Sequence, residues 1–254
     1  MGTHKYAGVG CVYAVPVDAD GNRTGPIRKV GNAYPLSVQV TTETQKEISR
    51  MCDSAGQILD SKTEITDTNG KLVLRQWNAA NLAWALMGQE VQNTDSGGSV
   101  TDEAVTAPAA GYFVELDHRN VDNVVITNSD GSVTYQEGVD YWLNKKLGLL
   151  EIIDGGSISA GDSLLADYDY AAKAGYVIDL ATVRHNRVAL MANLTNEFTG
   201  DEFTIDLFKV TLSPTNEINF ISDPGSEGEV LEFDMVLETP PGKTTPGTVD
   251  GIPM

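Results

Sequence analysis

Residues 111–170 restrict the fold of this chain more tightly than any other stretch. Short runs at 112–116, 121–127, 132–135, 140–144, 149–153 and 163–170 are rich in Val, Ile, Leu and Tyr. Turn residues separate them: Asn128-Ser129-Asp130-Gly131, Gly148, Gly155-Gly156 and Gly161. Short strands and turns at this spacing indicate an all-β unit.

The flanks read the same way, with one exception. Residues 9–17 alternate loosely and predict a strand, closed by a turn at Asp18-Ala19-Asp20-Gly21-Asn22. Leu36, Val38 and Val40 alternate with Ser37 and Gln39 and predict a second. Residues 41–56 are polar, hold Glu43, Lys46, Glu47, Arg50 and Asp53, and show no period; they read as a long loop of the kind a partner orders. A hairpin is expected next, 57–66 against 71–77, because Asn69-Gly70 is the strongest short hairpin signal. The exception is a helix of roughly ten residues. Asn78 can cap it, Leu82, Trp84 and Leu86 supply its apolar face, Trp77 flanks it, and Gly88 stands where a C′ glycine belongs.

Residues 89–110 are rich in Ser, Thr, Gly, Ala and acid and read as a linker or exposed loop. Further strands are expected at 187–195, 202–212, 217–222 and 229–238. Residues 239–254 hold four of the ten prolines and read as a flexible tail. The fold expected is therefore all-β with one short helix, a β-sandwich or barrel. Its core comprises residues 1–104 and 176–238, with 105–175 either an inserted all-β module or further strands of the same sandwich.

Charge narrows the function. There are 36 acidic residues against 17 Lys and Arg, a formal net charge of −19. Such a field repels phosphate, so neither conventional nucleic-acid binding nor an anionic membrane is an expected partner. Cys11 and Cys52 are too few for a disulfide scaffold, and no signal peptide or membrane-spanning run is expected, so folding in a reducing cytosol is the default.

Chemical motifs are thin. Gly161-Asp162-Ser163-Leu164 spells a lipase and esterase nucleophile motif, but it enters a predicted strand and no Asp-x-x-His accompanies it. His4, His118 and His185 are scattered and lack zinc-ligand spacing. Asp18-x-Asp20-Gly21 covers only the start of a calcium loop. No cofactor or metal is called for, and no catalytic residue is assigned. A glycosidase needs only two carboxylates without fixed spacing and stays as a third reading.

The order of elements resembles a known family. A strand, a polar loop with Thr41-Thr42-Glu43-Thr44, a hairpin, and the helix Asn78-Ala79-Ala80-Asn81-Leu82-Ala83-Trp84-Ala85-Leu86-Met87-Gly88 look like the major tail tube proteins of long, non-contractile phage tails. The strings 130–141, 161–170 and 208–221 are similar to further β segments of those proteins. The resemblance implies a β-sandwich with one flanking helix that closes into six-subunit rings and stacks into a hollow tube. Its partners would be itself, the tail-tip, tape-measure and tail-terminator proteins, and double-stranded DNA in transit. It would sit in the virion tail after assembly in the host cytoplasm, with no membrane binding. It also implies that the 41–56 loop reaches the next ring, with Glu43, Lys46, Glu47, Arg50 and Asp53 as contacts. An acidic lumen would let DNA slide, although the lumen carboxylates are unassigned. The competing reading is a β-sandwich adhesin or capsid-decoration protein.

Overall fold

The computed structural model describes residues 5–222, 225 and 228–251. In chain order the first elements are β1 (Gly8–Pro16), β2 (Arg28–Gly31), β3 (Ala33–Ile48), β4 (Ile58–Leu74), α1 (Ala79–Ala85), β5 (Gln89–Asp95) and β6 (Gly98–Thr106). Then come β7 (Phe113–Glu115), β8 (Val121–Asn128), β9 (Thr134–Tyr135), β10 (Tyr141–Asn144), β11 (Leu149–Ile152), β12 (Ser163–Tyr170) and β13 (Lys173–Asp179). The chain closes with β14 (Asn186–Asn196), β15 (Glu202–Pro214), β16 (Leu231–Leu237) and β17 (Gly247–Asp250). The protein is all-β with one short helix, and it divides into two compact units, Gln92–Tyr176 and the remainder.

The first unit is one antiparallel sheet in the order β2-β1-β14-β15-β16-β4-β3, with β17 added beside β15. Strict alternation builds its core: Val188, Leu190 and Ala192 from β14, and Leu231, Phe233, Met235 and Leu237 from β16, share one face with Leu72, Leu74, Val12 and Ala14. The two ends of this strand order, β2 and β3, are separated along the chain by Asn32 alone. The sheet must therefore curl until its edges approach, and Asn32 accepts from the Arg75 N–H at 2.8 Å at that corner. The helix packs on the enclosed core through Leu82, Trp84 and Ala85.

The helix ends need one correction. Asn78 caps the N-terminus, its side chain accepting from Asn81 N–H at 2.9 Å. At the other end the left-handed residue is Met87 (φ 49), with Gly88 one step later. Gly88 N–H donates to Ala83 at 2.7 Å and Met87 N–H to Trp84 at 3.2 Å, the paired bonds of a Schellman turn. Gly88 is required for a different reason: a Cβ there would lie 2.6 Å from the Asp179 carbonyl oxygen.

The Asn69-Gly70 hairpin does not exist. Both residues lie inside β4, Gly70 opposite Val38 of β3 on one side and Met235 of β16 on the other. A Cβ at Gly70 would meet the Ser37 carbonyl oxygen at 2.1 Å and the Met235 methyl at 2.6 Å. The glycine serves close approach within a sheet, not a turn. The 41–56 loop is corrected as well: residues through Ile48 are strand. The strand expected at 217–222 is irregular over those residues; Asn216 instead ties this stretch to β16, donating to Val230 O and accepting from Glu232 N–H. The tail expected to be flexible is ordered through 251, where β17 pairs Thr204 to Leu207 and Lys243 lies 4.5 Å from the Phe208 ring. Residues 252–254 and His4 lie outside the described residues.

A polar contact reinforces the sheet. Lys209, nearly buried, donates to Glu238 at 2.7 Å and to the Ala19 carbonyl at 2.6 Å. The hydrogen bond from Lys209, then that from Thr211, holds the Glu238 carboxyl below its usual range.

The second unit is built from two sheets, β6-β12-β8-β9 and β10-β11-β7, which share a core including Leu116, Ile126, Leu150, Leu164 and Tyr168. Residues 89–110, read as a linker, contain strands β5 and β6. β6 pairs along β12 from Thr106 to Gly98 and contributes Val105 to this core, so the unit begins before residue 105. Asp140, buried, accepts backbone N–H bonds from Gln136 and Ser157, each 2.8 Å, and its carboxyl is lowered by them. β5 and β13 form a separate two-stranded ribbon.

Candidate assembly surface

The long pair β3–β4 is rooted in the first unit and then leaves it. β16 covers β4 only from Leu74 to Asn69. Beyond that point, from Val40 and Thr68 outward, two strands pair with each other and with nothing else among the described residues. All side chains from 37 to 48 and from 58 to 67 are exposed. A two-stranded ribbon of this kind is marginal in water by itself.

Alternation gives the arm two unlike faces. Directly opposed residues share a face, and the register places Val38 with Gly70, Val40 with Thr68, Thr42 with Ile65, Thr44 with Thr63 and Ile48 with Ile58. This face continues the one that buries Leu36 and Leu72 at the root, and it is apolar and threonine-rich. The Thr44 and Thr63 hydroxyls hydrogen-bond at 3.0 Å. The opposite face holds Glu43 with Glu64 and Glu47 with Asp60, together with Asp67. Lys62 pairs with Glu64 there. At its root on that face Lys71 binds Glu232 at 2.7 Å, and this hydrogen bond raises the ammonium's pKa.

The turn that closes the arm is held from within. Ser49 is buried, its N–H donates to Gln57 O at 2.8 Å, and its hydroxyl lies 2.6 Å from that of Ser54. Arg50, Met51, Cys52 and Asp53 point into solvent around this turn.

Of the residues named from sequence, Glu43 and Glu47 share the acidic face, Lys46 lies by alternation on the other, and Arg50 and Asp53 sit at the tip. All five are exposed and fall on one arm. Val38 and Val40 carry the alternation of the expected strand; Ile48, Ile58 and Ile65 extend it into one apolar stripe that the loop and hairpin expected over 41–66 do not imply. The pattern Leu36, Val38, Val40, Thr42, Thr44 continues the strand alternation and was the available signal. At the root this stripe faces Ile205, Leu207 and Val249 across an open groove of about 280 Å³.

The helix stiffens the opposite margin of the same sheet. Leu82 and Trp84 pack on the core, and Leu86 is half-buried at the C-cap. Trp77 flanks the helix on its N-terminal side, is 39% exposed, donates to Glu229 O at 2.9 Å and meets the Phe220 ring edge-on. Two residues that the sequence did not single out lock the helix to β2. Asn81, fully buried, donates to Val30 O and Gln76 O, each at 2.9 Å, and accepts from Arg28 at 2.7 Å. The Arg28 guanidinium stacks 3.9 Å above the Trp84 ring, and burial lowers its pKa.

The weaker motifs resolve into local structure. Asp18 accepts from Asp20 and Asn22 N–H in a turn. Ser163 opens β12 opposite Thr106, and Asp162 accepts from Ser159 N–H. Among the described residues no group of three or more His, Cys, Asp or Glu side chains is arranged to hold a metal ion.

A family model described as protein of unknown function UCP028589 matches residues 5–239, nearly the whole chain. No curated protein matches it.

Proposed function

We propose that this chain, which belongs to the UCP028589 family, is a structural subunit that polymerises into stacked rings forming a phage tail tube. The observation that carries the reading is the β3–β4 arm. It is a ribbon with one apolar face and one acidic face, exposed on both, and it extends from a curled sheet whose β3 edge pairs with no other strand among the described residues. In a stack, the apolar face would lie against a neighbouring copy, and the free edge offers backbone groups for strand addition. The arm carboxylates, with the net charge of −19, suit a conduit through which DNA slides without phosphate contacts. Further partners under this reading are the tail-tip, tape-measure and tail-terminator proteins, and its place is the virion tail.

Electron microscopy of the purified protein, alone and with tail-tip complexes as nuclei, tests the proposal. Stacked rings with an axial channel are expected. A protein that stays monomeric under both conditions overturns it.

A further inference from the structure

The outward face of the sheet β10-β11-β7, in the second unit, sets two exposed aromatic side chains about a carboxylate. Tyr141, Leu143, Leu150, Ile152 and Val114 turn toward the core. Trp142, Asn144, Leu149, Glu151, Phe113 and Glu115 therefore turn outward. The register sets Trp142 opposite Glu151, and Glu151 opposite Phe113, in one row across the three strands. Trp142 is 56% exposed and Phe113 57%. Two strand spacings separate the aromatic side chains by about 10 Å, with the carboxylate between them. The neighbouring row is Asn144, Leu149 and Glu115, and Arg119 binds Glu115 at 3.0 Å. Gly138, φ 82, lies near the far edge of the indole, where an added Cβ would be 3.7 Å from the ring. More than half of the tryptophan stays open to solvent.

We propose that this face binds a neutral oligosaccharide, with sugar rings stacked on Trp142 and Phe113 and hydroxyls donating to Glu151 between them. Asn144 and Glu115 complete the polar rim. Pyranose rings present an apolar C–H face to an aromatic and hydroxyl donors at their edges, and the row supplies both complements in alternation. Charge decides against anionic occupants. Residues 92–176 hold fourteen acidic side chains against four Lys and Arg, so an anionic glycan or nucleic acid is repelled. An apolar protein surface laid over the row would strip water from Glu151 and give it no donor, which is costly. Sugar hydroxyls replace that water bond for bond. The inference is independent of tube assembly and concerns the unassembled chain equally.

The test is isothermal titration of the full chain with cellohexaose, maltohexaose and chitohexaose, beside a heparin hexasaccharide. At least one neutral hexaose is expected to bind saturably, and the heparin fragment not at all. Trp142→Ala and Phe113→Ala are each expected to weaken binding about tenfold, and Glu151→Gln severalfold. Trp142 and Phe113 are exposed and Glu151 is half-buried on the outward face, so the variants are expected to fold, and circular dichroism checks that they do. Three results overturn the proposal: no saturable binding by any neutral hexaose at millimolar concentration, binding that Trp142→Ala leaves unchanged, or a loss of self-association in Trp142→Ala that marks the face as an interface between copies.

Discussion

Replacing both Val40 and Ile65 with threonine strips apolar surface from the arm while keeping side chains that favour strands. Neither residue is buried within its own subunit: Val40 is 53% exposed and Ile65 69%. A neighbour that covered them would recover the remaining part of a full burial, roughly 1 kcal/mol for Val40 and 2 kcal/mol for Ile65. Threonine forfeits most of this, so about 3 kcal/mol is lost per contact, on the order of a hundredfold in association. The assay is pelleting across a concentration series, with negative-stain microscopy of the pellets. The threshold concentration for tubes is expected to rise about a hundredfold, while the melting temperature of unassembled protein moves by less than about 2 °C. An unchanged threshold would refute the claim that this face is buried between copies. A large fall in the monomer's melting temperature would show instead that the face is packed within the subunit.

Other expectations concern the subunit itself. Asn81→Ala leaves the Val30 and Gln76 carbonyls and the Arg28 guanidinium without their buried partner, and is expected to cost about 3 kcal/mol in urea unfolding. Asn78→Ala removes only the cap and is expected to cost about 1 kcal/mol by the same measurement. Gly70→Ala forces a methyl onto the Ser37 carbonyl, so the β3–β4 ladder is expected to lose amide protection from Val38 outward, read by hydrogen exchange. Glu238 and Asp140 have folded-state pKa values below their unfolded ones. Their contribution is therefore complete above the unfolded carboxylate range near pH 4 and lost as pH falls through the lowered folded values. Urea midpoints are expected to hold steady from about pH 7 to 5 and then drop, with a shallower drop in Glu238→Gln.

The sequence was most legible where one face of a strand is buried. The alternation Phe203, Ile205, Leu207 and the apolar runs of β8, β11 and β12 placed those strands within a residue or two. It was least legible in the arm. Both faces there meet solvent, so the alternation continues past Val40 only through Thr42 and Thr44, and polar strand resembles polar loop. Asn69-Gly70 misled for a related reason: a glycine admitted so that β3 and Met235 can approach looks, in one dimension, like a glycine admitted for a turn. β5 and β6 escaped because polar and acidic residues dominate them, and only their partners mark them as strands. The helix was legible through its cap, yet Arg28, 50 residues upstream of its cap at Asn78, is what fastens it.

The arm's attachment has a mechanical consequence. β4 runs without interruption from the tip into the body, where it lies between β3 and β16. A pull on the tip along the arm's length is directed down the strands, so the hydrogen bonds at its root are sheared together instead of being peeled one at a time. The root can therefore carry load that the isolated ribbon could not. Strain imposed at the tip is delivered to β16, and through it to β15 and β14, as displacement of whole strands.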